Sequence, residues 1–272
     1  MSPFESAALQ EWRSVGRAIG GAVVFCLPLM MTMEMWWLSY YIPPFRLICL
    51  LALSLPLFYG VSRIIGFTDN SGVVDNIIDV LVAYAFGFII SAFCLLLFNT
   101  ISFTTPVYLS LTAITLQAIP AALGALLARS ALGSRKHNAR NAKSISAQMI
   151  IMAVGALFLG LNVSPTEEIV LIARQMTHWH SFLLFLTTLF IMLMFSVGCS
   201  YIASEKNKTI PQVIYAYARF CGSSFLVSLF VTLFLLWVFE QFQMMAPADL
   251  LAIVVVLLFP TGIGAAAAKI II

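Results

Sequence analysis

The chain has 272 residues, of which 62% are apolar and only 9% are charged. A soluble domain is about a quarter charged, so a chain this poor in charge cannot cover itself with a water-facing surface, and most of its exterior must face lipid. The net charge of +3 is too small to mark a nucleic-acid binder, and no nucleic acid is expected as a partner.

Residues 1–17 include Glu5, Glu11, Arg13 and Arg17. They lack the short apolar core and small-residue cleavage site of a signal peptide, and are expected to form an amphipathic segment on the inner membrane surface. Eight apolar runs then reach the roughly 20 residues that a spanning helix needs. They cover 18–41, 44–66, 73–99, 105–128, 145–163, 180–203, 211–240 and 248–270. The runs are too long and too uniformly apolar for barrel strands. The expected fold class is therefore all-α, a polytopic transmembrane helix bundle of about eight spans in a lipid bilayer.

Trp36, Trp37, Tyr40 and Tyr41 fall where the first span leaves the membrane, as an outer aromatic belt would. Residues 129–144 form a basic loop around SRKHNARNAK (134–143). With the N-terminus inside, all but two of the fourteen basic residues lie on the cytoplasmic side; Arg46 and Arg174 are the exceptions. The positive-inside rule then places both termini in the cytoplasm.

The basic loop divides the chain into two four-span halves, 18–128 and 145–272, and the halves resemble each other. GAVVFCLPLMMTME (21–34) aligns without gaps to GALFLGLNVSPTEE (155–168). FIISAF (88–93) matches FLVSLF (225–230), and IPAALGA (119–125) matches FPTGIGA (259–265). The offset is 134 residues at Gly21 and Gly155, 137 at Phe88 and Phe225, and 140 at Gly124 and Gly264. Such slow growth fits small loop insertions. Four spans per half give both halves one orientation, so the repeat is expected to be parallel.

The two Thr-x-Glu segments, GAVVFCLPLMMTMEMWW and GALFLGLNVSPTEEI, resemble those of a family of bacterial integral membrane proteins, domain of unknown function 2391. The resemblance covers most of the chain. It implies a bacterial cytoplasmic (inner) membrane location and a small companion membrane protein as a partner. It implies no activity.

Ionisable groups inside a span cost about 2.5–3.5 kcal/mol at the helix centre, so each is a candidate for function. Glu34 lies in the first span, one turn inside the aromatic belt. By the repeat, Glu168 takes the same place in the fifth span, which would continue past Asn162 and Pro165 as a broken helix. Proline lacks the backbone donor, so a kink or unwound turn is expected at Pro165, where freed carbonyls beside the carboxylates could hold a cation. The competing reading makes 162–179 an outer loop, with Glu167 and Glu168 in water. Thr32 and Thr166, two residues before each glutamate, can join a site only where the helix is unwound. Asp75 and Asp79 share one face at i, i+4 spacing. They read either as carboxylates at a helix N-terminus or as the inner mouth of an ion pathway.

The five cysteines, Cys26, Cys49, Cys94, Cys199 and Cys221, are odd in number and lie in apolar runs. Disulfide and zinc readings are weak. His178 and His180 flank Trp179 and face opposite sides of a helix. No metal and no cofactor is expected. No nucleotide loop, zinc-hydrolase motif or Ser–His–Asp set is present, so the chain is not read as an enzyme. The leading expectation is a channel or transporter for small ions, cations or protons, with Glu34 and Glu168 near the outer mouth at the repeat interface. The alternative is a non-transporting anchor or scaffold subunit for a partner protein. A homo-oligomer is left open.

Overall fold

A run of apolar residues in hydrocarbon must satisfy its backbone polar groups within itself, and the α-helix does so residue by residue. The computed structural model describes residues 3–65, 72–131, 144–198, 210–244, 246 and 249–271. Among them the chain forms ten α-helices and no strand. In order these are α1 (Pro3–Met30), α2 (Met33–Tyr41), α3 (Pro44–Ile65), α4 (Val73–Leu97), α5 (Val107–Ala131), α6 (Ile145–Val163), α7 (Glu168–Gln175), α8 (His178–Gly198), α9 (Ile210–Val238) and α10 (Leu250–Ile271). Seven are individually long and apolar enough to cross a bilayer, and the bent pair α1–α2 makes an eighth if the two helices form one span.

The chain divides into two compact units, Met1–Ala142 and Lys143–Ile272. In unit 1, α5 is the central helix and packs against α1, α2, α3 and α4. In unit 2, α10 holds that place against α6, α7, α8 and α9. Both units thus run in the same order: a long helix, a short helix, two more long helices, and a central helix last.

Helices in lipid gain little from hiding apolar surface, so small residues that let backbones approach decide which pairs pack closely. Ala118, Ala121, Ala122 and Ala125 give α5 a fully buried small face. A Cβ on Gly21 of α1 would collide with the carbonyl oxygen of Gly124 in α5, and one on Gly124 with the carbonyl oxygen of Gly21. In unit 2, Gly155 of α6 and Gly264 of α10 stand in the same mutual relation. The residues that the sequence pairs across the halves are therefore those that touch within each unit. Gly87 of α4 also lies close to the backbone of Ala118.

Polar groups join two further helix pairs. The Ser62 hydroxyl donates to Asn76 Oδ1 at 3.1 Å, and Ser54 bonds Tyr84, joining α3 to α4. Thr232 and Thr261 share a buried hydrogen bond of 2.7 Å between α9 and α10.

The first span differs from expectation in its course. Residues 3–17 are continuous with the span, because α1 runs as one helix from Pro3 to Met30. Residues 18–41 are not one straight helix, because α1 and α2 meet at 81°. The break follows from Thr32, which is extended (φ −93°, ψ 129°). Its hydroxyl donates to the Leu29 carbonyl at 2.7 Å. Such a local bond competes with continuation of the helix.

The glycine crossings are testable. Gly21→Ala and Gly155→Ala should each destabilise by about 1–3 kcal/mol, the usual cost of overpacking. Gly20 and Gly222 have nothing within 4 Å of an added Cβ. Gly20→Ala and Gly222→Ala should leave the melting temperature unchanged or slightly raised, since alanine is the better helix former. Thermal unfolding in detergent measures all four.

Candidate functional site

The sequence-derived candidates fall at helix breaks in both units. In unit 1, α1 ends at Met30, Met31 and Thr32 form the turn, and α2 begins at Met33. Glu34 stands in the first turn of α2 and is half-buried. In unit 2, α6 ends at Val163, just ahead of Pro165, a turn follows, and α7 begins at Glu168, which is exposed. Residues 162–179 are therefore neither an open loop nor a continuous span.

The two turns have the same internal bonding. Thr32 donates both its N–H (3.2 Å) and its hydroxyl (2.7 Å) to the Leu29 carbonyl. Thr166 does the same to Val163, at 3.1 and 2.8 Å. Each threonine thus shapes the turn two residues ahead of its glutamate.

A helix break frees carbonyls that must find donors. The Met30 carbonyl accepts Trp36 Nε1–H at 2.8 Å, from within α2. The equivalent carbonyl in unit 2 is that of Ser164, which accepts Gln241 Nε2–H at 3.2 Å. Gln241 begins the 3₁₀ turn after α9 and is buried. It arrives by a tight reversal. Glu240 adopts a left-handed backbone (φ 60°), and its N–H bonds the Trp237 carbonyl at 3.4 Å. Helix α4 also ends on a left-handed residue, Asn99 (φ 54°), and there Thr100 N–H reaches Leu95 O at 3.0 Å. This is the Schellman pattern. Neither Trp36 nor Gln241 was singled out in the sequence for this role, since a capping donor carries no spacing signal.

Each short helix buries one face on the central helix of its own unit. Met35, Leu38 and Ser39 do so for α2, and Ile169, Val170 and Ala173 for α7. The charged positions Glu168 and Arg174 stay exposed.

Asp75 and Asp79 are not brought to this end of unit 1. Asp75 is exposed in the first turn of α4 and accepts the Gly72 N–H at 3.0 Å, a helix-terminal role. Asp79 is half-buried, receives the Ser62 hydroxyl at 3.5 Å, and lines a recess of about 10 Å³ with Ala18 and Ala125. That recess holds one water at most.

Cys26, Cys49, Cys94 and Cys221 are free thiols; Cys199 and most of the basic loop lie outside the described residues. His180 Nδ1 pairs with Thr177 Oγ1 at 2.8 Å at the start of α8. Among the described residues, no group of three or more His, Cys, Asp and Glu is placed to hold a metal ion.

Residues 14–272 match the family described as "Putative integral membrane protein (DUF2391)". The chain belongs to this family. It is an integral membrane protein, as its apolar helices require. No curated protein and no solved structure matches it.

The two capping donors can be separated by experiment. Gln241→Leu leaves the buried Ser164 carbonyl unpaired and should cost about 1–3 kcal/mol. Hydrogen exchange should quicken in the peptide covering 164–175 and stay unchanged in 31–41. Trp36→Phe should give the opposite pattern.

Proposed function

We propose that the protein is a conduit, channel or transporter, for small cations or protons, with Glu34 and Glu168 as the ion-exchanging carboxylates. The observation that carries this reading is recurrence. A helix is interrupted at the corresponding place in each half, and a Thr-x-Glu sequence occupies each interruption. Discontinuous helices in matching positions of two halves are the best sequence-level pointer to an ion or substrate site in transporters. Thr32 and Thr166 act as positioning residues that hold the turn. Asp75 and Asp79 would draw cations toward the opposite end of α4. The proposed orientation has both termini in the cytoplasm of a bacterial inner membrane, with the two breaks outside. The reading is non-catalytic.

One observation favours the second reading, a membrane anchor for a partner protein. The carbonyls freed at the breaks already accept bonds from Trp36 and Gln241. A turn closed in this way also serves as a rigid corner with no ion in it.

Flux into liposomes tests the two. The purified protein should pass monovalent cations or protons, and cation flux should fall as external pH drops, because protons compete for the same carboxylates. Glu34→Gln and Glu168→Gln should each lower flux or change selectivity. If both act on one ion, the double variant should depart from additivity. Flux at background in every condition would support the anchor. Wild-type flux in the double variant would remove these glutamates from the mechanism.

Orientation is checked separately in a cysteine-free background. Phe45→Cys and Thr177→Cys should react with a membrane-impermeant thiol reagent in intact cells, and Ser144→Cys should be protected. Labelling of Ser144→Cys from outside would reverse the assignment.

A further inference from the structure

We propose that the recess where α2 meets the α4–α5 connection in unit 1 binds an uncharged polyhydroxylated group, a glycosyl lipid headgroup or a free sugar. The recess has a volume of about 310 Å³, at the lower end of the roughly 300–1,000 Å³ of small-molecule sites. Its wall combines Trp37 and Tyr40 with Ser39, Asn99, Thr100 and Thr105. The Trp37 and Tyr40 rings stand 6.1 Å apart and tilted by 47°, so they form two inclined walls and not a stacked pair.

The lining contains no charged residue. A phosphate or carboxylate would find no cation there, and an ammonium would find no counter-charge. What the wall offers is aromatic surface beside the Asn99 amide and the Thr100 hydroxyl, which both donate and accept; the Ser39 and Thr105 hydroxyls already bond the Trp36 carbonyl and Ser102. A sugar ring has the matching pair of properties: apolar C–H faces and a rim of hydroxyls.

The repeat supplies an internal control. EMWWLSYY (34–41) in α2 corresponds to EIVLIARQ (168–175) in α7. Helix α7 packs on its central helix through Ile169, Val170 and Ala173, without an aromatic residue. Packing of the short helix therefore does not require Trp37 or Tyr40, and both are largely exposed (60% and 58%). Asn99 contributes from a left-handed position (φ 54°) that closes the α4 cap. The substitution Asn99→Gly removes its amide and keeps a residue suited to that backbone.

The protein is purified in a sugar-free detergent, since a maltoside would itself compete. It is then placed in nanodiscs of glucosyl diacylglycerol, phosphatidylglycerol and phosphatidylethanolamine in equal parts, and retained lipid is read by native mass spectrometry. The glucosyl lipid should be retained about tenfold over either phospholipid, a difference of about 1.4 kcal/mol. Trp37→Ala and Asn99→Gly should abolish the preference, and Trp179→Ala, on an exposed aromatic of α8, should not. Displacement by methyl glucoside shows that the sugar suffices; retention despite methyl glucoside shows that the lipid-borne headgroup is the ligand. Equal retention of the three lipids, preference for a phospholipid, or a glucosyl preference that survives both Trp37→Ala and Asn99→Gly in variants that melt like wild type would overturn the proposal.

Discussion

The close approach of two backbones at Gly21 and Gly124, and again at Gly155 and Gly264, is the contact on which each unit depends. Without a hydrophobic drive between helices, association in lipid rests on van der Waals contact and on the few polar groups that can pair. A glycine pair admits that contact where any side chain would hold the helices apart. It also sets where the first helix lies along the central one. The break, the short helix and the glutamate all follow downstream of this crossing in both units.

The break creates a second constraint, because a carbonyl without a donor is costly away from water. The two units meet it at equivalent residues with different chemistry. Unit 1 uses the indole of Trp36, six residues after Met30, in α2. Unit 2 uses the amide of Gln241, brought from 77 residues away by the reversal after α9. The shared requirement is the donor and not its identity. This is why Trp36 in α2 aligns with an aliphatic residue, Val170, in α7 with no loss of the common plan.

Much of this was readable in the sequence, for reasons that differ by feature. Span positions came from uninterrupted apolar runs bounded by charges and prolines, and the structural boundaries lie within a few residues of them for α3, α4 and α6. The end of α6 was readable because Pro165 cannot extend it. The matching end of α1 was not, because the proline of CLPLMMTME (26–34), Pro28, lies inside α1 and not at its end; only the alignment of Met31 with Pro165 carried the signal. The continuity of α1 through Glu11, Arg13 and Arg17 was also hidden. Charge marks where lipid ends, whereas a helix can continue into water. The capping roles of Trp36 and Gln241 arise from tertiary placement, which periodicity does not encode.

The bonding at the breaks also bears on what kind of ion the proposed pathway could handle. Sites that strip an ion of water replace its hydration shell with several oxygens, commonly carbonyls of unwound helix. Here the Leu29, Met30, Val163 and Ser164 carbonyls each accept a bond from the protein's own donors. A dehydrated cation would have to compete with them. The carboxylates remain: Glu34 half-buried in the first turn of α2, Glu168 exposed in that of α7. A carboxylate beside water selects by charge, without a cage of fixed oxygens. The arrangement therefore supports a proton or a hydrated cation over an ion held by stripped coordination. It also explains how one fold can serve either proposed role. The closed turns supply rigidity whether or not anything passes.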